Sequence, residues 1–286
     1  MQETQFFDLE NGMRLAATVS GPEEGQPVLL FHGGGQTRHA WQRVVETLGN
    51  KGYRAMAFDQ RGHGDSGWSE SYEIELFRDD MLEICQQMPM KPYIVGASLG
   101  GVAGMLANAA QPEEVSQALV LVDVAPRSNP AGLARILDFM SANPNGFSSL
   151  EEAAEAVAAY QPHRKQRSDP SGLQKNLRQA EDGRWYWHWD PKALQDFQND
   201  AGRRMAADIL YAAAEKLTQP VLLVRGTLSD VIDTDIKEEF QTRIPHAQVV
   251  DVSGAGHMVA GDRNDIFSQT ILDFLLSLDC EQAASA

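Results

Sequence analysis

Cysteine is scarce in this chain. Cys85 and Cys280 are the only two among 286 residues, too few for a disulfide framework or a cysteine-rich metal cluster. Positive charge is scarce too: 24 Lys and Arg stand against 40 Asp and Glu, a formal net charge of −16. A chain so acidic repels phosphate backbones, whereas a nucleic-acid binder carries a basic footprint. The charge reads as a solubility device. No uninterrupted apolar run approaches the roughly 20 residues a membrane span needs. The start, MQETQFFDLENG, lacks the basic stretch followed by an apolar one that marks a secretory signal. The expectation is a protein of a reducing, cytoplasmic compartment with no membrane or nucleic-acid partner.

What is present is an alternating pattern. TQFFDLE and MRLAATVS flank Asn11-Gly12, a dipeptide suited to the positive φ angles of a tight hairpin turn. VLLFH (28–32) is a short continuous apolar run that stops at glycines, as buried parallel strands do. Helical stretches follow at about 39–50 and 72–88, with strands at 53–59, 92–98 and 118–124. Strand and helix taking turns predicts a parallel sheet covered on both faces. The alternation breaks near Pro126. Residues 126–216 read as mostly helical, with no strong buried-strand run. It resumes with PVLLVRG (220–226), a helix at 234–243, a strand at 247–253 and a last helix at 262–278, before a frayed tail. Residues 1–125 and 217–286 thus form an α/β core, and 126–216 an insertion.

The strongest chemical signal is Gly96-Ala97-Ser98-Leu99-Gly100. It matches G-x-S-x-G, directly after a predicted strand and at the start of a predicted helix, as a nucleophile elbow requires. A serine hydroxyl needs a base, and histidine is the usual one. His257, in SGAGHMV just after the last strand, lies where a loop can present it. His32 and His63 precede the serine, and His163, His188 and His246 lie outside any strand-end loop of the core. The histidine needs an acid to fix its tautomer. Asp230, after VLLVRG, is placed first. Asp123, at the end of an earlier strand, is the more serious rival, and Asp233 is a further one. His32-Gly33-Gly34-Gly35 follows VLLF as an oxyanion loop would. The N–H groups of Gly34 and Leu99 are the expected donors. The glycines match neither G-x-G-x-x-G nor G-x-x-x-x-G-K-[ST], so a phosphate loop is excluded.

FHGGG, FDQRGHGDS (58–66), VGASLGG (95–101), LVDVAP (121–126), VRGTLSDVI (224–232) and GAGHMV (254–259) occur in the order found in α/β-hydrolase fold enzymes. The chain resembles the capped branch of that family, which holds small-molecule esterases, lactonases, haloperoxidase-like perhydrolases and C–C bond hydrolases. The resemblance implies an eight-stranded, mostly parallel sheet with helices on both faces and a helical cap, residues 126–216, after the sixth strand. It implies the chain order Ser98, Asp230, His257. It makes DQRGHGDS a structural loop, so Asp59, His63 and Asp65 carry no catalytic role and no metal or cofactor is needed. Related dehalogenases and epoxide hydrolases place an aspartate at the elbow, where this chain has Ser98.

RWYWHWDP (184–191) falls inside the expected cap and holds three of the five tryptophans. In an extended chain Trp185, Trp187 and Trp189 share one face. They either anchor the cap to the core or line a pocket, with Trp185 and Trp187 the candidates for substrate contact. The expectation is a serine hydrolase acting on a small carboxylic ester or lactone through an acyl-enzyme. C–C bond hydrolysis or perhydrolysis with the same residues is the alternative within the enzyme class, and a weakly catalytic ligand sensor the alternative outside it.

Overall fold

The computed structural model describes residues 2–111, 115–160, 169–200, 207–257 and 267–285. Eight strands form one sheet: β1 (Glu3–Asp8), β2 (Arg14–Ser20), β3 (Pro27–Phe31), β4 (Arg54–Phe58), β5 (Tyr93–Ala97), β6 (Ala118–Val122), β9 (Val221–Gly226) and β10 (Gln248–Val252). Their spatial order is β1-β2-β4-β3-β5-β6-β9-β10. β1 and β2 form the antiparallel hairpin expected around Asn11-Gly12, and β2 also runs antiparallel to β4. Every other pairing is parallel.

The apolar runs are continuous because both faces of the central strands are covered. In β3, Val28 and Leu30 point into one hydrophobic layer and Leu29 and Phe31 into the other. The same period of two divides β6. One layer is closed by α1 (Gln42–Asn50) and α9 (Ser268–Ser285). The other is closed by α2 (Ile74–Gln86), α3 (Leu99–Ala110) and α8 (Thr234–Arg243). Each fully buried Val, Leu, Ile or Phe in these layers contributes about 1.5–3 kcal/mol of transfer free energy.

Between β6 and β9 none of the described residues joins this sheet. The segment forms α4 (Pro130–Ser141), α5 (Leu150–Tyr160), a two-stranded antiparallel ribbon of β7 (Leu177–Gln179) and β8 (Trp185–Trp187), α6 (Pro191–Asp200) and α7 (Ala207–Ala214). The ribbon departs from the mostly helical expectation. Its strands are three residues each, too short to show a buried-strand run. The C-terminal tail departs as well: α9 extends through Cys280 to Ser285 rather than fraying after residue 278. No helix among the described residues is long and apolar enough to cross a membrane.

Candidate active site

Ser98 sits between the end of β5 and the first residue of α3, with φ 45° and ψ −114°. Among the described residues only Ser98 and Asp123 combine a side chain with positive φ. Such strain persists where the surroundings over-determine it, and it clusters at functional sites. Here the strain comes from helix α3 folding back tightly onto the sheet. A Cβ on Gly96 would stand 2.5 Å from the Gly100 carbonyl carbon, and one on Gly100 would stand 2.5 Å from the Phe31 carbonyl oxygen. Only glycine permits either approach, so the G-x-S-x-G spacing is a packing requirement that leaves the serine at the apex. Ser98 is half-buried in an otherwise buried strand end.

The loop 32–36 arches over this apex. A Cβ on Gly33 would stand 3.2 Å from the Ser98 Cβ. The loop's backbone donors are largely committed. The Gly33 N–H donates to Gln36 Oε1 at 2.9 Å, and the Gly35 N–H to His63 Nε2 at 3.2 Å. Across the gap, the Gly100 N–H donates to the His32 carbonyl at 3.2 Å and the Ser98 N–H to the Val122 carbonyl at 3.3 Å. The N–H groups of Gly34 and Leu99 have no partner among the described residues. Gly34 is the half-exposed member of an otherwise buried run, and Leu99 opens α3, whose N-terminal peptide dipoles favour negative charge.

Two buried histidines hold this loop. His32 Nδ1 donates to the Gly33 carbonyl (2.8 Å) and its Nε2 accepts from the Gln60 N–H (3.0 Å). His63 Nδ1 donates to the Arg61 carbonyl (2.9 Å) while its Nε2 takes the Gly35 N–H. Each pattern needs a neutral ring. Burial drives the pKa of His32 down to about 4. Burial, then the neighbouring His32, drives that of His63 down to about 3. The rest of the 58–66 segment is braced by a buried ion pair between Arg38 and Asp59 and by the Asp65 N–H on Asp59 (2.9 Å).

The acid is where the structure departs from the sequence order. His257, 7% exposed, points Nδ1 at Asp123 Oδ2, 2.7 Å away. Asp123 is 1% exposed and also accepts the Gly226 N–H (3.3 Å) and the Ser229 hydroxyl (2.9 Å). Asp230 is not brought to the histidine. Its carboxylate turns outward to Arg135 of α4, 2.6 Å away, on an exposed surface. The choice of Asp123 has a physical origin. β6 and β9 are adjacent parallel strands, so both carboxylates follow strand ends on the same edge. Ser229 turns the β9 loop inward first. Its Oγ accepts the N–H groups of Val231 and Ile232, leaving Asp230 on the outside. Asp233, the other alternative, caps α8 by accepting the Ile236 N–H.

Residues 26–263 match the family model for the alpha/beta hydrolase fold. The chain belongs to the α/β-hydrolase fold family. It is a hydrolase, and curated relatives agree. The esterase Rv0045c of Mycobacterium tuberculosis is 31% identical over 250 residues, spanning 82% of this chain and 78% of the relative. Its solved structure superposes with a TM-score of 0.72 at 27% identity, covering 96% of this chain and 92% of that one. A 2-(acetamidomethylene)succinate hydrolase of Mesorhizobium japonicum is 28% identical over 268 residues, spanning 92% of each chain. A solved E-2-(acetamidomethylene)succinate hydrolase superposes with a TM-score of 0.82 at 22% identity, covering 96% of this chain and 99% of that one, which speaks to the fold.

In this α/β-hydrolase the segment after β6 packs over the loop at residue 34. A Cβ on Gly35 would stand 3.2 Å from the Met140 Cε of α4. Phe139 beside it meets the Trp187 ring at 5.8 Å, and Trp187 stacks on Trp189 at 4.9 Å with the planes 9° apart. Trp187 and Trp189 thus share a face, as extended chain requires. Trp189 is buried in the core layer and pairs with His63 as an isolated β-bridge. The Gly64 N–H donates to the His188 carbonyl, and the Asp190 N–H to the Gly62 carbonyl, both at 2.7 Å. The tryptophan stretch is therefore stitched by backbone bonds to the loop that carries His63. Trp185 exchanges backbone bonds with Phe147 and packs in a satellite cluster with Leu177. His163 lies outside the described residues.

Sequence reasoning missed two residues that shape the site, Gln36 and Ser229, and placed His63 in a structural loop without its bond to Gly35. Each acts through a contact distant in sequence or by closing its own loop. Only Gln36, three residues after Gly33, offered a local signal.

Proposed function

We propose that this α/β-hydrolase is a serine hydrolase that cleaves small carboxylic esters or lactones through an acyl-enzyme, with Ser98, His257 and Asp123 as its triad. The observation that carries the reading is the 2.7 Å contact between His257 Nδ1 and Asp123 Oδ2, on the strand end next to strained Ser98. Ser98 Oγ attacks the substrate carbonyl as His257 takes its proton. Asp123 holds the proton on Nδ1 and stabilises the imidazolium. The free N–H groups of Gly34 and Leu99 receive the oxyanion, each worth on the order of 10²–10³ in rate. His257 then protonates the leaving alkoxide, and water, deprotonated by the same histidine, releases the acid. The steps need no cofactor.

Residues 126–216 serve as a cap over this centre. Met140, Phe139 and Trp187 give the cap an apolar side near the oxyanion loop, which suits an uncharged acyl group. The esterase relative supports an ester substrate. The Mesorhizobium relative, a 2-(acetamidomethylene)succinate hydrolase, favours a second reading, in which the same residues cleave an amide rather than an ester. A ligand sensor with the same residues would acylate once and stall.

The test is Ser98→Ala against a series of p-nitrophenyl esters, with a fluorophosphonate probe alongside. The wild type should turn over repeatedly on short esters and take up the probe, and the variant should do neither. Retention of both activities by Ser98→Ala would overturn the assignment. Stoichiometric acylation without turnover would favour the sensor.

A further inference from the structure

We infer that Ser229 is a positioning residue for the hydrolytic centre, acting on His257 through Asp123; this rests on the triad proposed above. The hydroxyl has one proton and two acceptor sites. Both acceptor sites are filled, by the N–H groups of Val231 at 3.2 Å and Ile232 at 3.1 Å. Its proton is left with one use, donation to Asp123 Oδ2 at 2.9 Å. The polarity of this contact is therefore set by the backbone.

Asp123 in turn receives three donors: Gly226 N–H on Oδ1, and Ser229 O–H with His257 Nδ1–H on Oδ2. Ser229 and His257 share one oxygen, so the serine fixes the direction from which that oxygen meets the imidazole. A carboxylate on a short side chain, held by one N–H alone, would be free to rotate about its last bond and carry the histidine with it. The backbone at Asp123 is already strained, at φ 49°. The same Ser229 oxygen that orders the loop 229–232 thereby couples the end of β9 to the end of β6.

A double-mutant cycle separates this role from simple loop support. Hydrogen bonds to charged groups are worth about 1.5–3 kcal/mol, so Ser229→Ala should lower kcat about tenfold or more with KM nearly unchanged. Ser229→Thr, which keeps the hydroxyl, should restore most of the rate. In the Asp123→Asn background, Ser229→Ala should cost less than about twofold, because residues acting through one another are not additive. The rate of Ser98 labelling by a fluorophosphonate reads all four variants even when turnover is slow. Equal losses in both backgrounds would show that Ser229 only supports its loop and would overturn the inference. So would a wild-type rate in Ser229→Ala. If Asp123→Asn itself keeps full activity, the triad reading fails instead, and the two failures are told apart.

Discussion

Replacing Asp123 by Asn separates the two candidate acids with little steric change. Asn is isosteric with Asp and tolerates the left-handed backbone at this position, where φ is 49°. The substitution therefore adds little strain and removes mainly charge. His257 Nδ1, now 2.7 Å from a carboxylate oxygen, would face an amide that can donate back and favour the wrong tautomer. For a buried acid in this role the loss in kcat is about 10⁴, or about 5.5 kcal/mol of transition-state stabilisation. Asp230→Asn removes an ion pair whose side chains are 31% and 55% exposed. Surface pairs of this kind contribute about 0–1 kcal/mol to stability and nothing to the chemistry. The assay is kcat and KM on a short p-nitrophenyl ester for both variants, with thermal melting to confirm that each folds. The expected result is a collapse of kcat in Asp123→Asn and near wild-type kinetics in Asp230→Asn. The opposite ranking would refute the geometric argument and restore the order read from sequence.

Three further outcomes follow from the same contacts. Because folding holds His32 and His63 neutral, the unfolded chain binds more protons below the ordinary histidine value of 6.5. Their contribution is complete above that pH and is lost as pH falls toward about 4 for His32 and about 3 for His63. Each can steepen the loss by up to about 1.4 kcal/mol per pH unit. Urea midpoints between pH 7 and 5 should show the slope, and an equal slope in His63→Gln would contradict it. Gly100→Ala should fail to fold or melt far lower, since its Cβ would meet the Phe31 carbonyl at 2.5 Å, whereas Gly34→Ala meets nothing within 4 Å and should melt like the wild type. Trp187→Phe removes an indole N–H that is buried without a partner among the described residues, so its melting temperature should hold or rise. Unaltered selectivity across ester chain lengths would mark Trp187 as an anchor, and a changed profile would mark it as pocket lining.

Much of the fold was legible because its signals are local. Continuous apolar runs such as 28–31 and 118–122 arise only where both faces of a strand are buried, and the G-x-S-x-G turn reflects close packing between neighbouring segments. The two short strands at 177–179 and 185–187 were not legible, since their pairing depends on tertiary support from Phe147 and the core loop at residues 62–64.

Local residue patterns were enough to set the strand order along the chain, the serine at the apex of its turn and the histidine after the last strand. Each follows from residue types within a few positions of one another. Which carboxylate meets His257 was decided only in three dimensions. β6 and β9 lie side by side and end at the same edge, so Asp123 and Asp230 follow neighbouring strand ends. The choice fell to the turn of one loop, where Ser229 points in to Asp123 and Asp230 points out to Arg135. A one-residue difference in a turn reverses which side chain faces inward, and residue spacing along the chain carries no record of that direction.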